Sequence, residues 1–208
     1  MALKLLCRLL NDLHCARMLA LSGYPAQACA LAASAFEAAF VASDVVHSEE
    51  NARRWVEHSE TIVSYSGVRP LVRGVLARLG EYASAPQRVI KEATDIAFHI
   101  YSQLCMAKHI NPVLERNLGR DQGRRFLVFN GPDMSDDAIR ASKFGLAYAV
   151  RYGVIPVRLV VSFGLGRDEC RDLPERAVGL HERCKPFDAM LAHWPLPPTD
   201  AGRRGRRE

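Results

Sequence analysis

The chain has 208 residues, enough for one sizeable core, and its 49% hydrophobic and 25% charged content is that of a globular protein, which excludes a fibrous or wholly disordered one. Its formal net charge is +5, but Arg203, Arg204, Arg206 and Arg207 stand against only Asp200 and Glu208 at the end of the chain. The tail therefore carries +2 and the body about +3, too near neutral for the footprint of a nucleic-acid binder.

The opening run Met1-Ala-Leu-Lys-Leu-Leu-Cys-Arg is too short an apolar stretch before Arg8 and Asp12 to read as a signal peptide. From Lys4 to Leu21, Leu6, Leu9, Leu10, Leu13, Ala16 and Ala20 recur with a helical period, with Lys4, Arg8, Asn11 and Asp12 on the other side. Ser22-Gly23-Tyr24-Pro25 then offers a glycine for a left-handed helix C-cap and a proline for the first turn of a second helix. The two helices are expected to form an antiparallel hairpin.

Pro25 to Val46 is the stretch that the rest of the chain is expected to cover. It holds a single acidic residue, Glu37, before Asp44, and its apolar content is mostly alanine. A helix apolar on all sides belongs in a core or a bilayer, and a mid-helix carboxyl with alanine in place of leucine favours the core.

Ser48 is a suitable N-cap for a third helix, with Glu49 and Glu50 in the dipole-favoured first turn and Ala52, Trp55, Val56, Ile62 and Val63 as its expected buried stripe. Gly67 and Arg69-Pro70 predict a break, followed by a shorter helix from Leu71 to Tyr82 with Leu71, Val72, Val75, Leu76 and Leu79 inward. Another helix, Pro86 to about His109, is expected to bury Val89, Ile90, Ala93, Ile96, Ala97, Ile100, Leu104 and Cys105, and Asn111-Pro112 ends it.

Gly119 to Pro132 reads as a loop holding the short anchor Phe126-Leu-Val-Phe129, which could form a strand-like stub. Asp133 or Ser135 caps a helix expected to bury Ile139, Ser142, Leu146, Ala149 and Val150 and to stop at Gly153. Val154 to Phe163 suits strand or helix, and helix is favoured because a lone strand has no partner. A last short helix is expected from Pro174 to Arg183, before a Pro-rich end that starts at Lys185-Pro186. The whole predicts an all-α fold: one helical bundle of seven or eight helices over residues 1–194 and a flexible Pro/Arg-rich tail over 195–208.

Six cysteines at 7, 15, 29, 105, 170 and 184 make no Cys-x-x-Cys pair and no Cys/His cluster, which argues against zinc and redox motifs and suits a reducing, cytoplasmic compartment. No Gly-x-Ser-x-Gly, Walker loop, His-Glu-x-x-His or dinucleotide fingerprint is present, so no cofactor or metal is expected. Two positions invite a polar site. Glu37 sits on a nominally buried helix face and must be hydrogen-bonded, paired or neutralised, most simply by an arginine, a lysine or a backbone amide. His109 follows Tyr101 and Cys105 at four-residue steps along one face, where a histidine also suits a helix C-terminus.

Gly23-Tyr24-Pro25, Ala33-Ser34-Ala35-Phe36-Glu37, Trp55, and Tyr101-x-x-Leu104-Cys105-x-x-x-His109-x-Asn111-Pro112 together resemble a family of uncharacterised bacterial all-helical proteins distantly similar to HEPN domains. The resemblance covers about residues 5–115, and the family's arginine is replaced here by Ala33, which removes one member of any Arg/Glu/His grouping.

HEPN ribonucleases carry an arginine and a histidine separated by four to six residues. Arg8/His14, Arg53/His58 and Arg176/His181 match that spacing, but 23 arginines and seven histidines give about two such matches by chance. The expected function is a non-enzymatic helical binding or interaction module whose pocket or partner face forms where the helices carrying Glu37, Trp55 and His109 converge. Its partner would be another protein or a second copy, with no membrane. The alternative is a HEPN-like RNA-binding or RNA-cleaving protein of a defence or toxin-antitoxin system, with Glu37, His109, Tyr101, Arg53 and His58 as candidate catalytic residues.

Overall fold

The computed structural model describes residues 2–57, 65–79, 82–108, 119–121, 126–128 and 136–164, with isolated positions at 132, 134, 175, 179, 182 and 183. Its elements in chain order are α1 (Ala2–Leu21), α2 (Pro25–His47), α3 (Glu49–Glu57), α4 (Tyr65–Arg78), α5 (Gln87–Lys108), β1 (Gly119–Asp121), β2 (Phe126–Val128) and α6 (Asp136–Gly164). Helices make up the fold. The exception is a small antiparallel ribbon in which Gly119 of β1 faces Val128 of β2 and Asp121 faces Phe126.

Alanine spacing explains why α2 lies in the middle. Ala28, Ala32, Ala33, Ala35, Ala38, Ala39 and Ala42 are buried around its whole circumference with Phe36 and Phe40, and side chains this small let other backbones approach on several sides. The helix packs against α1, α3, α4, α5 and α6. By length and composition it could cross a membrane, but 61% of its most apolar stretch is buried inside the fold.

The α1–α2 connection obeys its local chemistry. Gly23 takes φ 79°, the left-handed conformation that lets the chain leave the helix. Tyr24 N–H then donates to Leu19 O at 2.9 Å and Gly23 N–H to Ala20 O at 3.3 Å, a Schellman ending, with Pro25 opening α2. On the facing surfaces Leu5 clusters with Val41, Ala42 and Val45, and Ser34 Oγ donates to Asp12 Oδ2 at 2.7 Å.

Helix α3 starts as its sequence demands, with Ser48 Oγ accepting from Asn51 N–H at 3.3 Å. Its expected buried stripe is corrected: none of its residues is buried, and Trp55 and Val56 are 39% and 51% exposed. A helical period shows that side chains share a face; it does not show that a neighbour covers that face. Ala52 packs half-buried beside the Leu5 cluster, and Ile62 and Val63 lie outside the described residues.

The break expected at Gly67 and Arg69-Pro70 is also corrected, since α4 runs through both. Proline in a helix interior costs about 3 kcal/mol, partly through a clash with the carbonyl four residues back. Here that residue is Ser66, in the first turn of α4, so the strain falls at the helix end. Burial of Val68, Val72, Val75, Leu76 and Leu79 outweighs it.

On α5 the inward face is narrower than expected. Ile90, Thr94, Ala97, Ile100, Tyr101, Leu104 and Cys105 are buried, whereas Val89 and Ile96 face solvent.

The last described helix, α6, is one continuous element through Gly153 and Pro156, so Gly153 does not end it and Val154 to Phe163 is helical. Gly153 has no positive φ. A Cβ there would stand 3.4 Å from Leu13 Cδ1 on α1, an ordinary contact, so the position has room for a methyl group. Buried on α6 are Ala138, Ser142, Phe144, Ala147, Tyr148, Ala149 and Tyr152, while Ile139 is exposed. Asp133, Ser135 and Phe129 lie outside the described residues, as does most of the expected helix from Pro174 to Arg183.

Gly145 of α6 is the tightest of the approaches. A Cβ at this position would stand 2.9 Å from Cys29 Sγ and 3.5 Å from Cys29 Cα. The same thiol donates to Ala141 O at 3.6 Å. An alanine ordinarily favours a helix over glycine by about 1 kcal/mol, but the overlap costs roughly 1–3 kcal/mol. Gly145→Ala is therefore expected to lower the urea midpoint, Cys29→Ala in the same chain to restore it, and Gly153→Ala to leave it unchanged or raised.

Candidate functional site

Phe36, Glu37 and Phe40 lie within one turn of α2, so the aromatic core and the mid-helix carboxyl are fixed together by its period. The Phe36 ring stacks on Tyr101 of α5 with centroids 5.2 Å apart and meets Tyr152 of α6 edge-on at 4.7 Å. Phe98 adds a tilted contact to Tyr101 at 6.1 Å. Tyr101 is thereby held with its ring inside the core and its hydroxyl at the edge of α2.

That hydroxyl donates to Glu37 Oε1 at 2.6 Å, joining residues 64 positions apart. Glu37 itself is half-buried. Burial, reinforced by side-chain hydrogen bonds with Cys105 and Glu37, pushes the Tyr101 phenol far above the ordinary tyrosine range. It stays protonated and acts as a donor. The structure thus gives Glu37 a neutral phenol as a hydrogen-bond partner.

Chemically, a protonated phenol that donates to a carboxyl is a positioning pair. It locks α2 to α5 and sets one polar group at the rim of an aromatic cluster. Tyr101, Cys105 and Glu37 are brought together; the other sequence candidates are not brought to them by any described contact. His109 and His58 lie outside the described residues. Arg53 is exposed on α3 and bound to carboxylates of its own helix, to Glu50 at 2.9 Å and Glu57 at 3.9 Å. Trp55 stands on the same exposed helix but not on the open cleft of about 590 Å³ that Glu49, Glu50, Ala52, Arg53, Val56 and Glu57 line. Among the described residues no three His, Cys, Asp or Glu side chains are grouped to hold a metal ion.

Sequence reasoning missed three polar features. Arg78 Nη2 meets Asp44 Oδ1 at 2.6 Å and ties α4 to the end of α2. Ser34 Oγ, already bound to Asp12, also accepts from Arg8 Nη2 at 3.3 Å. His99 Nε2 is buried and has no hydrogen-bond partner among the described residues. Each of these depends on which helices become neighbours, which no local motif signals.

Comparison of the chain with protein-family models, with curated proteins and with solved structures finds no match.

Two outcomes follow from the buried hydroxyls. Tyr101→Phe keeps the ring stacked on Phe36 and removes the donor, with an expected loss of about 1–3 kcal/mol in urea unfolding. Glu37→Gln keeps an acceptor oxygen and should cost less, and the double variant should cost less than the sum because both changes remove one bond.

Burial also raises the Cys29 thiol from 9.0 to about 12 and the Tyr148 phenol from 10.0 to about 12. Tyr101 and Tyr152 shift further in the same direction, chiefly by burial. The unfolded chain releases these protons near pH 9 to 10 and the native state holds them. Stability is therefore full below about pH 9 and falls as pH rises toward 12, by about 1.4 kcal/mol per pH unit for each group in play. Urea midpoints flat from pH 7 to 9 and falling steeply near pH 11 are expected, with a shallower fall for Tyr101→Phe.

Proposed function

We propose that this chain is a non-enzymatic helical interaction module of bacterial type that works in the cytoplasm and presents α3 to a protein partner. The observation that carries the reading is α3 itself. A nine-residue helix is marginal on its own in water, yet this one buries none of its residues and turns Trp55 and Val56 outward. Ion pairs from Arg53 and Arg54 to Glu50, with the Ser48 cap, support it without a packed face. Tryptophan is costly to leave wet and is enriched where partners dock. The charges around the cleft suit a polar rim.

In this reading Glu37 and Tyr101 brace the core behind the partner face instead of reacting. The finer architecture belongs to the same proposal: a bundle of seven or eight helices, a tail after residue 194, and α1 and α2 as an antiparallel hairpin. The Asp12–Ser34 and Leu5–Val45 contacts support the hairpin, since partners early in α1 sit late in α2. The resemblance to HEPN-like bacterial helical proteins is retained as a likeness of class. An RNA-cleaving role draws less support, because Arg53, its candidate phosphate holder, is engaged by Glu50 and Glu57.

The test has two arms. Induction of the chain in bacterial cells should not arrest growth; arrest that is relieved by His58→Ala or His109→Ala would replace this reading with the ribonuclease one. Trp55→Ala/Val56→Asp changes exposed residues and should move the thermal midpoint by no more than about 1–2 °C. The same variant should lose a defined partner retained by the wild type in pull-down, and equal retention by both would remove α3 as the contact face.

A further inference from the structure

We propose that the seam between α4 and α5 is a binding site for a phosphomonoester, held by Arg73, Gln87 and Lys91. Helix α4 carries Arg69, Arg73 and Arg78 and no acidic residue. Arg78 is taken by Asp44 of α2 and Arg69 by Asp95 of α5. Arg73 has a different partner: among the described residues its contact is a hydrogen bond from Nη2 to Gln87 Oε1 at 3.1 Å, a neutral acceptor. Gln87, Lys91 and Asp95 follow one another at four-residue steps, about 6 Å apart, on the face of α5 that adjoins α4. Both ends of this row touch an arginine of α4, so Lys91 stands midway between two guanidinium contacts. It makes no ion pair or hydrogen bond among the described residues.

The seam therefore sets Arg69, Arg73 and Lys91 against Asp95 within about two turns of helix. That leaves an excess of two positive charges, on side chains that are all exposed. Arg69 and Arg73 stand at i and i+4 on one helix, where like charges repel. Asp95 offsets Arg69 alone. The next residues round α5 do not help, because Arg88 and Glu92 pair with each other at 3.6 Å. A surface that concentrates one sign of charge in this way draws counter-ions to it.

Donors and charge together name the ligand. Gln87 accepts through Oε1, which leaves its NH2 group free to donate. Arg73 keeps the rest of its planar fork, and Lys91 offers a compact charge with three donors. All three groups have hydrogen bonds to give, as the oxygens of an anion require. A phosphomonoester carries about −1.5 to −2 near pH 7 on three terminal oxygens and matches an excess of two positive charges. A carboxylate or a phosphodiester, each with a single charge, would leave half of that excess uncompensated. A nucleic-acid strand also needs a track of cations, which the near-neutral body does not supply. Three charge-assisted contacts at an exposed site place the dissociation constant for inorganic phosphate on the order of 0.1–1 mM. The seam lies on α4 and α5 and does not depend on the α3 reading.

An NMR titration of the isotope-labelled full chain with inorganic phosphate at about pH 7.5, with ionic strength held by sodium chloride, should give saturable amide shifts centred on Arg73, Gln87 and Lys91. Methyl phosphate should bind about as well, and dimethyl phosphate, which has one charge fewer, about tenfold more weakly. Arg73→Gln and Lys91→Gln change exposed side chains and should keep the thermal midpoint while each weakens phosphate about fivefold or more. Lys143→Gln removes an exposed charge on α6 and should leave binding unchanged. Phosphatidylcholine vesicles that contain phosphatidic acid identify the source of the group. Co-sedimentation that Lys91→Gln abolishes assigns the site to a lipid headgroup, and its absence assigns the site to a soluble phosphomonoester. No saturation below about 10 mM phosphate, equal weakening by Lys143→Gln, equal binding of dimethyl phosphate, or tighter binding of a short single-stranded RNA through the same residues would each overturn the proposal. Should Arg73→Gln shift the melt, Lys91→Gln alone decides.

Discussion

Close packing against α2 is the constraint on which the other helices depend. Ala32, Ala33, Ala35 and Ala39 leave almost no side-chain volume at its surface, so α1 and α6 approach it nearly backbone to backbone. The approach is finished from the other side by Gly145, where even a methyl group would run into Cys29. Such a core gains stabilisation from dispersion at short range rather than from large apolar side chains. It also tolerates little change in volume, because the atoms in contact are backbone or Cβ atoms that cannot turn aside.

The aromatic residues fill what the alanines leave open. Phe36, Phe40, Tyr101, Tyr148 and Tyr152 form one group of tilted, stacked and edge-on rings where α2, α5 and α6 meet. All three tyrosines are buried where a phenylalanine would supply nearly the same area. Their hydroxyls bring a requirement that phenylalanine would not, a partner for each buried O–H. For Tyr101 that partner is Glu37, and the requirement is mutual, because a carboxyl half-enclosed by a helical bundle needs a donor. Their bond serves both needs and ties the rotation of α5 to that of α2.

Polar ties elsewhere join α4 to its neighbours. Asp44 receives Arg78, which joins α2 to α4, and Asp95 receives Arg69, whose guanidinium also lies 6.0 Å from the centre of the Phe98 ring. Both pairs are partly exposed and contribute little to stability; their effect is to set which face of α4 turns inward. The outward faces of α1 and α3 are left with apolar side chains that nothing in the described fold covers, and α3 is where a contact with another protein is proposed.

By itself the sequence determined the helical class, the central place of the Pro25–Val46 stretch, the Gly23 turn and the Ser48 cap, because each follows from composition, period or the chemistry of three or four adjacent residues. Glu37 and Tyr101 could be singled out for the same reason, as a misplaced carboxyl and a motif residue. Their bond could not, since it joins positions 64 apart and depends on the rotation of two helices about their own axes. Local signals misled where burial outweighed them: Gly67, Pro70 and Gly153 read as breaks, yet lie inside helices whose neighbours fit them. Trp55 shows the converse. Its spacing placed it on an apolar stripe, but whether a stripe is core or surface is decided only by what packs against it, and among the described residues little covers α3.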